Sequence, residues 1–281
     1  MRWLPRILRL ASRFYVKKKI SLLRSELRSE VSSELDILRS KLDVPDQLFD
    51  QFQEDRVSQK YQGVYCQPFP LVSVCIATYN RADLLSNRAL KSVLNQTYTN
   101  VEILVVGDCC TDTTEEQIAK LDDKRISFIN LPKRGDYPSD PQWRWMVAGT
   151  VPLNHALERS RGDFICHLDD DDEFLPNRIE KLLHFIQKTR ADLVWHPFFY
   201  ESQQGCWELN EALEFLLTQV TTSSVFYHKW FKQILWNIGA YKYREPGDWN
   251  RFRKIKYLGA KVARYHEPLL RHYSERQQLG I

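Results

Sequence analysis

The sequence lacks the features that mark several large protein classes. No run approaches the roughly 18 consecutive apolar residues of a transmembrane helix. It contains no glycine-rich phosphate loop, no HExxH zinc motif and no GxSxG nucleophile elbow. These absences argue against an integral membrane protein, a P-loop NTPase, a zinc protease and an α/β-hydrolase.

Cysteine is sparse, and its spacing forms no known framework. The six cysteines include no CxxC metal-binding pair and no pattern typical of a small secreted disulfide protein. We therefore expect a reducing, cytoplasmic location, and peripheral contact with the inner face of the membrane stays open. The basic start of the chain lacks a small-residue cleavage site, so no signal peptide is expected.

An excess of one charge is also missing. The 40 Lys and Arg residues against 36 Asp and Glu residues give a net charge of only +4, so we expect no nucleic-acid partner. A length of 281 residues fits one α/β domain with an appendage better than two full domains.

Residues 1–66 differ in pattern from residues 67–281, and we predict an N-terminal amphipathic helical extension before a single α/β domain. Apolar residues recur every three or four positions from Ile20 to Leu42, which is typical of one stripe on a polar helix. The first 20 residues carry seven basic residues and no acid. Residues 1–45 could pack on their own chain, contact a membrane surface or mediate self-association.

From residue 71 onward, apolar strands alternate with helical segments. We predict strands at 71–77, 101–107, 125–131, 163–168 and 191–200, with helices near 83–95, 113–121, 151–160 and 176–189. This order favours a mainly parallel sheet flanked by helices. The polar clusters at 78–81, 108–112 and 169–172 each follow a strand, so we expect them to meet at the carboxyl edge of the sheet.

Four consecutive carboxylates, Asp169–Asp172, lie between an apolar strand and a proline-started helix. Their mutual repulsion must be offset by open solvent or by a bound cation. Hard divalent cations prefer oxygen ligands, and a strand end presents alternate residues on one side. A solvated acidic loop is the simpler alternative, but the apolar strand before it favours a Mg²⁺ or Mn²⁺ site.

Two stretches resemble the family 2 glycosyltransferases of the GT-A type, a Rossmann-like α/β fold. They are VSVCIATYNRADLLSNRALKSVLNQTYTNVEILVVGDCCTDTT and GDFICHLDDDDEFLPNRIEKL. The resemblance implies transfer of a sugar from a nucleotide-sugar donor, most simply a UDP-sugar, with Mg²⁺ or Mn²⁺ as cofactor. It also implies a hydroxyl of a saccharide or lipid-linked molecule as the acceptor.

The resemblance also implies roles for individual residues. It places Thr78 and Tyr79 at the base and ribose, and Asp108 as a hydrogen-bond acceptor for the base. Metal ligands would be Asp171, Asp169 and His272, with Asp169 or Asp170 nearer the ribose. Candidates for the cation that faces the diphosphate are Arg81, Arg144 and Lys133. The chain departs from the family pattern in its Gly107–Cys110 loop and in Leu153, where an arginine is frequent.

Inverting transfer needs a base that removes the proton of the attacking hydroxyl. Asp248 opens an amphipathic helix in a Gly–Asp–aromatic setting that resembles the base segment of the family. An N-cap role is the alternative for Asp248, and Glu245 is the alternative base. Two rival functions stay open: a nucleotidyltransferase on a similar sheet, and a non-catalytic nucleotide-sugar-binding module.

Overall fold

The computed structural model describes the backbone of residues 4–274 and the side chains of residues 18–274 apart from Ser25 and Ser29. Residues 1–3 of the predicted extension and 275–281 of the predicted α/β domain lie outside the described residues. Among the described helices, none is long and apolar enough to cross a bilayer. The chain divides into two compact units, with the boundary between Leu48 and Phe49.

The first unit consists mainly of α1 (Leu4–Asp43), which confirms the predicted N-terminal helix. Its 40 residues contain no proline after Pro5 and no glycine, so nothing in the sequence interrupts the hydrogen-bond ladder. The helix ends before Pro45, whose ring disfavours helical backbone at the preceding residue.

The division at Leu48 comes earlier than the predicted boundary at residue 66. The short helices α2 (Asp46–Val57) and α3 (Gln59–Gly63) carry aromatic side chains that belong to the core of the second unit. Phe52 is fully buried against Trp230, with ring centroids 4.7 Å apart. The Tyr61 hydroxyl donates to Asp192 at 2.7 Å. Because most residues of α2 and α3 are polar, the sequence did not show that Phe52 and Tyr61 pack in the core of the second unit.

The remaining elements of the second unit follow one another with short connections. The strands are β1 (Val72–Thr78), β2 (Val101–Gly107), β3 (Ile126–Asn130), β4 (Phe164–His167), β5 (Glu173–Phe174), β6 (Leu193–Trp195), β7 (Phe198–Gln203), β8 (Cys206–Asn210), β9 (Val225–His228), β10 (Val262–Arg264) and β11 (Leu270–His272). The helices are α4 (Ala82–Leu84), which continues through a π-helical stretch (Leu85–Leu90) into α5 (Lys91–Leu94), then α6 (Thr114–Ala119), α7 (Pro141–Val147), α8 (Thr150–Arg159), α9 (Arg178–Thr189) and α10 (Gly247–Tyr257).

The main sheet has seven strands in the order β10-β6-β9-β4-β1-β2-β3. All its pairings are parallel except those of β9, which runs antiparallel to both β4 and β6. β1 and β2 are buried along nearly their whole length, as expected for strands covered on both faces. The predicted α/β fold with a mainly parallel sheet is confirmed.

The register of the sheet determines which loops meet. Thr78 at the end of β1 lies beside Gly107 at the end of β2, and Cys75 lies beside His167 at the end of β4. Because the three strands are parallel, the polar clusters that follow them emerge at the same edge. The predicted convergence of these clusters is confirmed.

The single strand predicted over 191–200 is wrong. The chain leaves the main sheet after Trp195 and enters a second sheet at Phe198. Pro197 lies between the two strands and cannot donate a backbone hydrogen bond, so it interrupts a continuous ladder. An apolar run alone does not show that its two halves belong to different sheets.

The second sheet has four strands in the order β5-β11-β7-β8, and its strand β5 follows the acidic loop in the sequence. β5 begins directly after Asp172, and Leu270 of β11 pairs with Phe174 of β5. This pairing brings the carboxyl-terminal end of the described chain, including His272, to the four aspartates. The segment between β3 and α8 contains a further helix, α7, which is capped at its N-terminus by the Asp140 side chain.

Candidate functional site

A cavity of about 380 Å³ opens at the carboxyl edge of the main sheet. Nine of the twelve candidate residues named from the sequence line it: Thr78, Tyr79, Arg81, Asp108, Arg144, Asp169, Asp170, Asp248 and His272. Asp171, which is only 1% exposed, does not line the cavity, and neither do Lys133 and Glu245. The structure thus brings together residues that are up to 194 positions apart in the chain.

One end of the cavity carries a cationic and aromatic cluster around Asp108. The Arg134 guanidinium lies 3.6 Å from the centroid of the Tyr79 ring, and its Nε is 3.7 Å from Asp108 Oδ2. Asp108 is nearly buried and accepts a hydrogen bond from the backbone N–H of Gly135 at 3.1 Å. This end offers a flat aromatic face and a carboxylate acceptor, which suits a planar heterocycle that donates an N–H.

Sequence reasoning missed Arg134 and named its neighbour Lys133 instead. Lys133 is largely exposed and forms a surface ion pair with Asp136 at 3.0 Å. The two basic residues are adjacent in the loop after β3, so composition could not tell which of them faces the cavity. The glycine after Arg134 was the one available signal that the chain is closely packed at this point. A Cβ atom on Gly135 would clash with Val151 and Tyr137.

Arginines compensate much of the charge of the acidic loop. Arg81 Nη1 lies 2.5 Å from Asp171 Oδ2 and 3.2 Å from Asp170 Oδ1. Arg88 donates to the backbone carbonyl of Asp171 at 2.8 Å. These contacts stabilise the middle of the loop in a position where Asp170 and Asp171 are both almost fully buried. Asp169 keeps partial exposure at the cavity wall.

A second cluster joins Asp169, Asp172 and His272, whose potential ligand atoms all lie within 4.8 Å of one another. Asp172 was not named from the sequence. Its side chain is fully buried and accepts hydrogen bonds from Ser223 Oγ at 2.9 Å and from the Tyr273 backbone at 3.2 Å. It also contacts Nδ1 of His272 at 3.0 Å.

These contacts define how the cluster fits a metal ion. A carboxylate that holds one imidazole nitrogen leaves the other nitrogen to act as the ligand, an arrangement common behind metal-binding histidines. Asp172 is therefore suited to orient the His272 ring toward a cation shared with Asp169. Carboxylate oxygens with one imidazole fit Mn²⁺, and they fit Mg²⁺ less well because Mg²⁺ favours oxygen ligands.

The two candidate bases lie in different environments. Asp248 is in the first turn of α10, lines the cavity and accepts a hydrogen bond from the Trp249 backbone at 2.7 Å. The N-cap position is occupied by Pro246, so the alternative N-cap role for Asp248 is wrong. Glu245 is 2% exposed and pairs with Arg253 at 3.0 Å. A buried carboxylate in such a pair is poorly placed to collect a proton from an acceptor.

A buried hydrogen-bond network of His167, Tyr227 and Arg251 lies beneath the site. His167, the last residue of β4, is fully buried, and its Nε2 lies 2.6 Å from the Tyr227 hydroxyl. Burial, and next the positive charge of Arg251, lowers the pKa of His167 well below its usual value. Arg251 in turn donates to the Tyr227 hydroxyl at 3.1 Å. This network fixes β4, which carries the acidic loop.

The sequence matches a protein-family model, Glycosyl transferase family 2, over residues 73–138 and 150–243, more than half of the chain. It is 34% identical over 139 residues to the putative colanic acid biosynthesis glycosyl transferase WcaA of Escherichia coli K12, covering 49% of this chain and 44% of WcaA. It is 32% identical over 131 residues to an E. coli protein, UDP-Glc:alpha-D-GlcNAc-diphosphoundecaprenol beta-1,3-glucosyltransferase WfaP, covering 47% of each chain. The chain spans about half the length of the curated relatives it matches.

Solved structures share the fold. Staphylococcus aureus TarS 1–349 in complex with UDP superposes with a TM-score of 0.57 at 18% identity, covering 72% of this chain and 60% of TarS 1–349. The complex of the same protein with UDP-GlcNAc gives a TM-score of 0.56 at 19% identity, with 72% and 58% of the two chains covered.

Proposed function

We propose that this chain, which belongs to glycosyl transferase family 2, moves a sugar from a UDP-sugar to a hydroxyl of a saccharide or lipid-linked acceptor with inversion. The observation that carries the proposal is the shared cavity. Asp108 follows β2, Asp169 follows β4 and Asp248 lies in α10, yet all three line one space. A base-binding group, a cation-binding group and a proton acceptor would each have a place there.

The donor base would occupy the end of the cavity near Tyr79 and Arg134. Asp108 would accept a hydrogen bond from an N–H of the base, and the aromatic ring would stack on the heterocycle. Thr78 would contact the nucleotide beside them, and Asp170 would approach the ribose. A UDP-sugar is the simplest donor because TarS, which shares the fold, is found in complex with UDP and UDP-GlcNAc.

Asp169 and His272 would hold a divalent cation, and we favour Mn²⁺ over Mg²⁺ for this donor set. Asp171 stays a proposed ligand, although its carboxylate is engaged with Arg81 in the structure. When bound, the cation would stabilise the negative charge of the departing nucleotide diphosphate. Arg144, which lines the cavity, would add positive charge there.

Asp248, which also lines the cavity, would act as the base. Its carboxylate takes the proton of the acceptor hydroxyl as the hydroxyl oxygen bonds to the anomeric carbon. The bond from that carbon to the nucleotide diphosphate breaks in the same displacement, so the configuration inverts. We favour a lipid-linked acceptor because WfaP and a Campylobacter jejuni relative bear names that describe transfer to undecaprenol-linked saccharides.

Such an acceptor would place the enzyme at the cytoplasmic face of a membrane. The basic and acid-free first 19 residues would support a peripheral contact with anionic lipids, because each basic residue near such a surface contributes about 1 kcal/mol. Sedimentation with anionic and with neutral vesicles tests this contact. Equal sedimentation with both would overturn it.

Thermal unfolding with a panel of nucleotides and nucleotide sugars tests the proposed donor. A ligand at about 100 times its Kd stabilises the folded state by roughly 2.7 kcal/mol, which for a chain of this size raises the Tm by roughly 5–10 °C. We expect such a rise for UDP-sugars with Mn²⁺, a much smaller rise with EDTA, and its loss in Asp108→Asn. Glu158→Gln, on the exposed side of α8, is the matched control.

Two outcomes would contradict the proposal. Release of pyrophosphate from a nucleoside triphosphate would identify a nucleotidyltransferase. Tight donor binding with no transfer or hydrolysis on any undecaprenol-linked or soluble saccharide would identify a non-catalytic binding module.

A further inference from the structure

The helix α1 exposes a continuous apolar stripe on one side. The stripe consists of Ile20, Leu23, Leu27, Val31, Leu35, Leu38 and Leu42, which are 44–83% exposed. At 3.6 residues per turn these positions fall within an arc of about 120°. A line of seven exposed aliphatic side chains exceeds the scattered apolar residues that a monomer surface carries, and marks an interaction surface.

The two edges of the stripe carry opposite charge. Glutamates directly precede three stripe positions, as Glu26, Glu30 and Glu34. Arginines directly follow three stripe positions, as Arg24, Arg28 and Arg39. Because consecutive residues of a helix are about 100° apart, the glutamates line one edge and the arginines line the other. Asp36 is the one acid on the basic edge between Leu23 and Arg39, and at Leu42 the signs reverse, with Lys41 before it and Asp43 after it, so a parallel pair still sets opposite charges against each other.

We propose that α1 pairs through this stripe with α1 of a second copy of the chain, in parallel orientation. In a parallel helix pair, each edge of one helix faces the opposite edge of its partner. The glutamate edge then meets the arginine edge on both sides of the apolar seam. In an antiparallel pair each edge would meet its own kind, and the like charges would repel.

The spacing of the stripe fits a long, nearly straight pair. Ile20, Val31 and Leu42 are separated by 11 residues each, as are Leu27 and Leu38. An 11-residue repeat corresponds to 3.67 residues per turn, close to the natural helix period, so the seam stays on one side without strong supercoiling. The stripe can therefore face a partner over its whole length of 23 residues, or about 35 Å.

The same charges argue against a membrane as the occupant of the stripe. A helix that lies on an anionic surface carries Lys and Arg along both edges of its apolar face. Here residues 20–42 contain four basic and four acidic residues. The basic first 19 residues remain the proposed lipid contact, so the two parts of this N-terminal segment would have separate partners.

Sedimentation velocity of the full chain tests the proposal. We expect wild type to sediment as a dimer of 33.4 kDa chains at low micromolar concentration. The double substitution Leu27→Ala, Leu38→Ala should raise the dimer Kd at least about 100-fold, since it removes four leucine side chains from the pair. Alanine preserves helix propensity, so far-ultraviolet circular dichroism should be unchanged.

Leu22→Ala is the matched control, because Leu22 is 54% exposed on α1 but lies about 160° away from Leu38, on the opposite side of the helix. It should leave the dimer intact. A wild-type chain that is monomeric at roughly 50 µM, or a dimer that survives the double substitution, would overturn the proposal. So would a monomeric chain whose stripe is needed for binding to anionic vesicles.

Salt tests the orientation. Opposite edges attract in the parallel pair, so raising the salt from about 0.05 M to 0.5 M should weaken dimerisation several-fold. An affinity that rises with salt would identify like edges in contact, and would overturn the parallel arrangement.

Discussion

Two carboxylates three residues apart, Asp248 and Glu245, allow catalysis and stability to be separated by mutation. Asp248→Asn keeps the shape of a side chain that lines the cavity but removes its ability to accept a proton. Loss of a positioned general base costs about 10²–10⁴-fold in rate. We therefore expect kcat for sugar transfer to fall by that amount, with little change in donor Kd or in Tm.

Glu245→Gln should instead lower the stability of the protein and leave catalysis by the folded protein intact. It leaves the Arg253 guanidinium, 1% exposed, without its carboxylate 3.0 Å away, and breaking one side of a buried ion pair costs about 3–5 kcal/mol. For a domain of this size that free energy corresponds to a Tm lower by roughly 6–20 °C. The chemistry of the folded fraction should persist, because Glu245 does not line the cavity.

The assay is UDP release in the presence of acceptor, with UDP-glucose and an undecaprenol-linked saccharide as the first pair to test. Scanning calorimetry of the same preparations reports stability. A folded Glu245→Gln protein without activity, together with an active Asp248→Asn protein, would refute the assignment of the base and the reasoning from cavity exposure.

Three further predictions concern Arg134, Asp172 and the buried His228. Arg134→Ala should weaken UDP binding about tenfold in calorimetric titration through loss of its cation–π contact with Tyr79, whereas Lys133→Ala should not change it. Asp172→Asn should weaken Mn²⁺ binding about 10–100-fold, measured by electron paramagnetic resonance, because it releases His272; unchanged affinity would exclude the positioning role. Burial lowers the pKa of His228 to about 3, so the unfolded chain binds the extra proton between pH 3 and 6.5. His228 should therefore destabilise the fold as the pH falls through that window, by up to about 1.4 kcal/mol per pH unit, and His228→Gln should remove this contribution in urea unfolding and leave that of buried His167.

Much of the fold followed from local patterns. β1 and β2 are continuous apolar runs bounded by turn residues, so their type and parallel pairing were predictable. The second sheet was not, because β5 and β11 have only two and three residues and owe their pairing to tertiary contacts. Short strands carry no periodicity that a sequence could reveal.

A position at the cavity was predictable for residues that directly follow a strand of the main sheet, as for Asp108 and Asp169. Asp172 was missed because four identical side chains in a row carry no sign of which one faces His272. Ser223 was missed as well, since a serine in a polar loop gives no signal of the contact it makes with Asp172. Such roles arise from positions brought together across the fold, not from the residues themselves.

Calorimetric titration of UDP into the protein, with Mn²⁺ and with EDTA, tests the central claim most directly. If Asp169 and His272 hold a cation that the nucleotide diphosphate contacts, UDP should bind at least about tenfold more tightly with Mn²⁺, and Asp169→Ala should abolish that difference. Equal UDP affinity with Mn²⁺ and with EDTA in the wild-type chain would contradict the account.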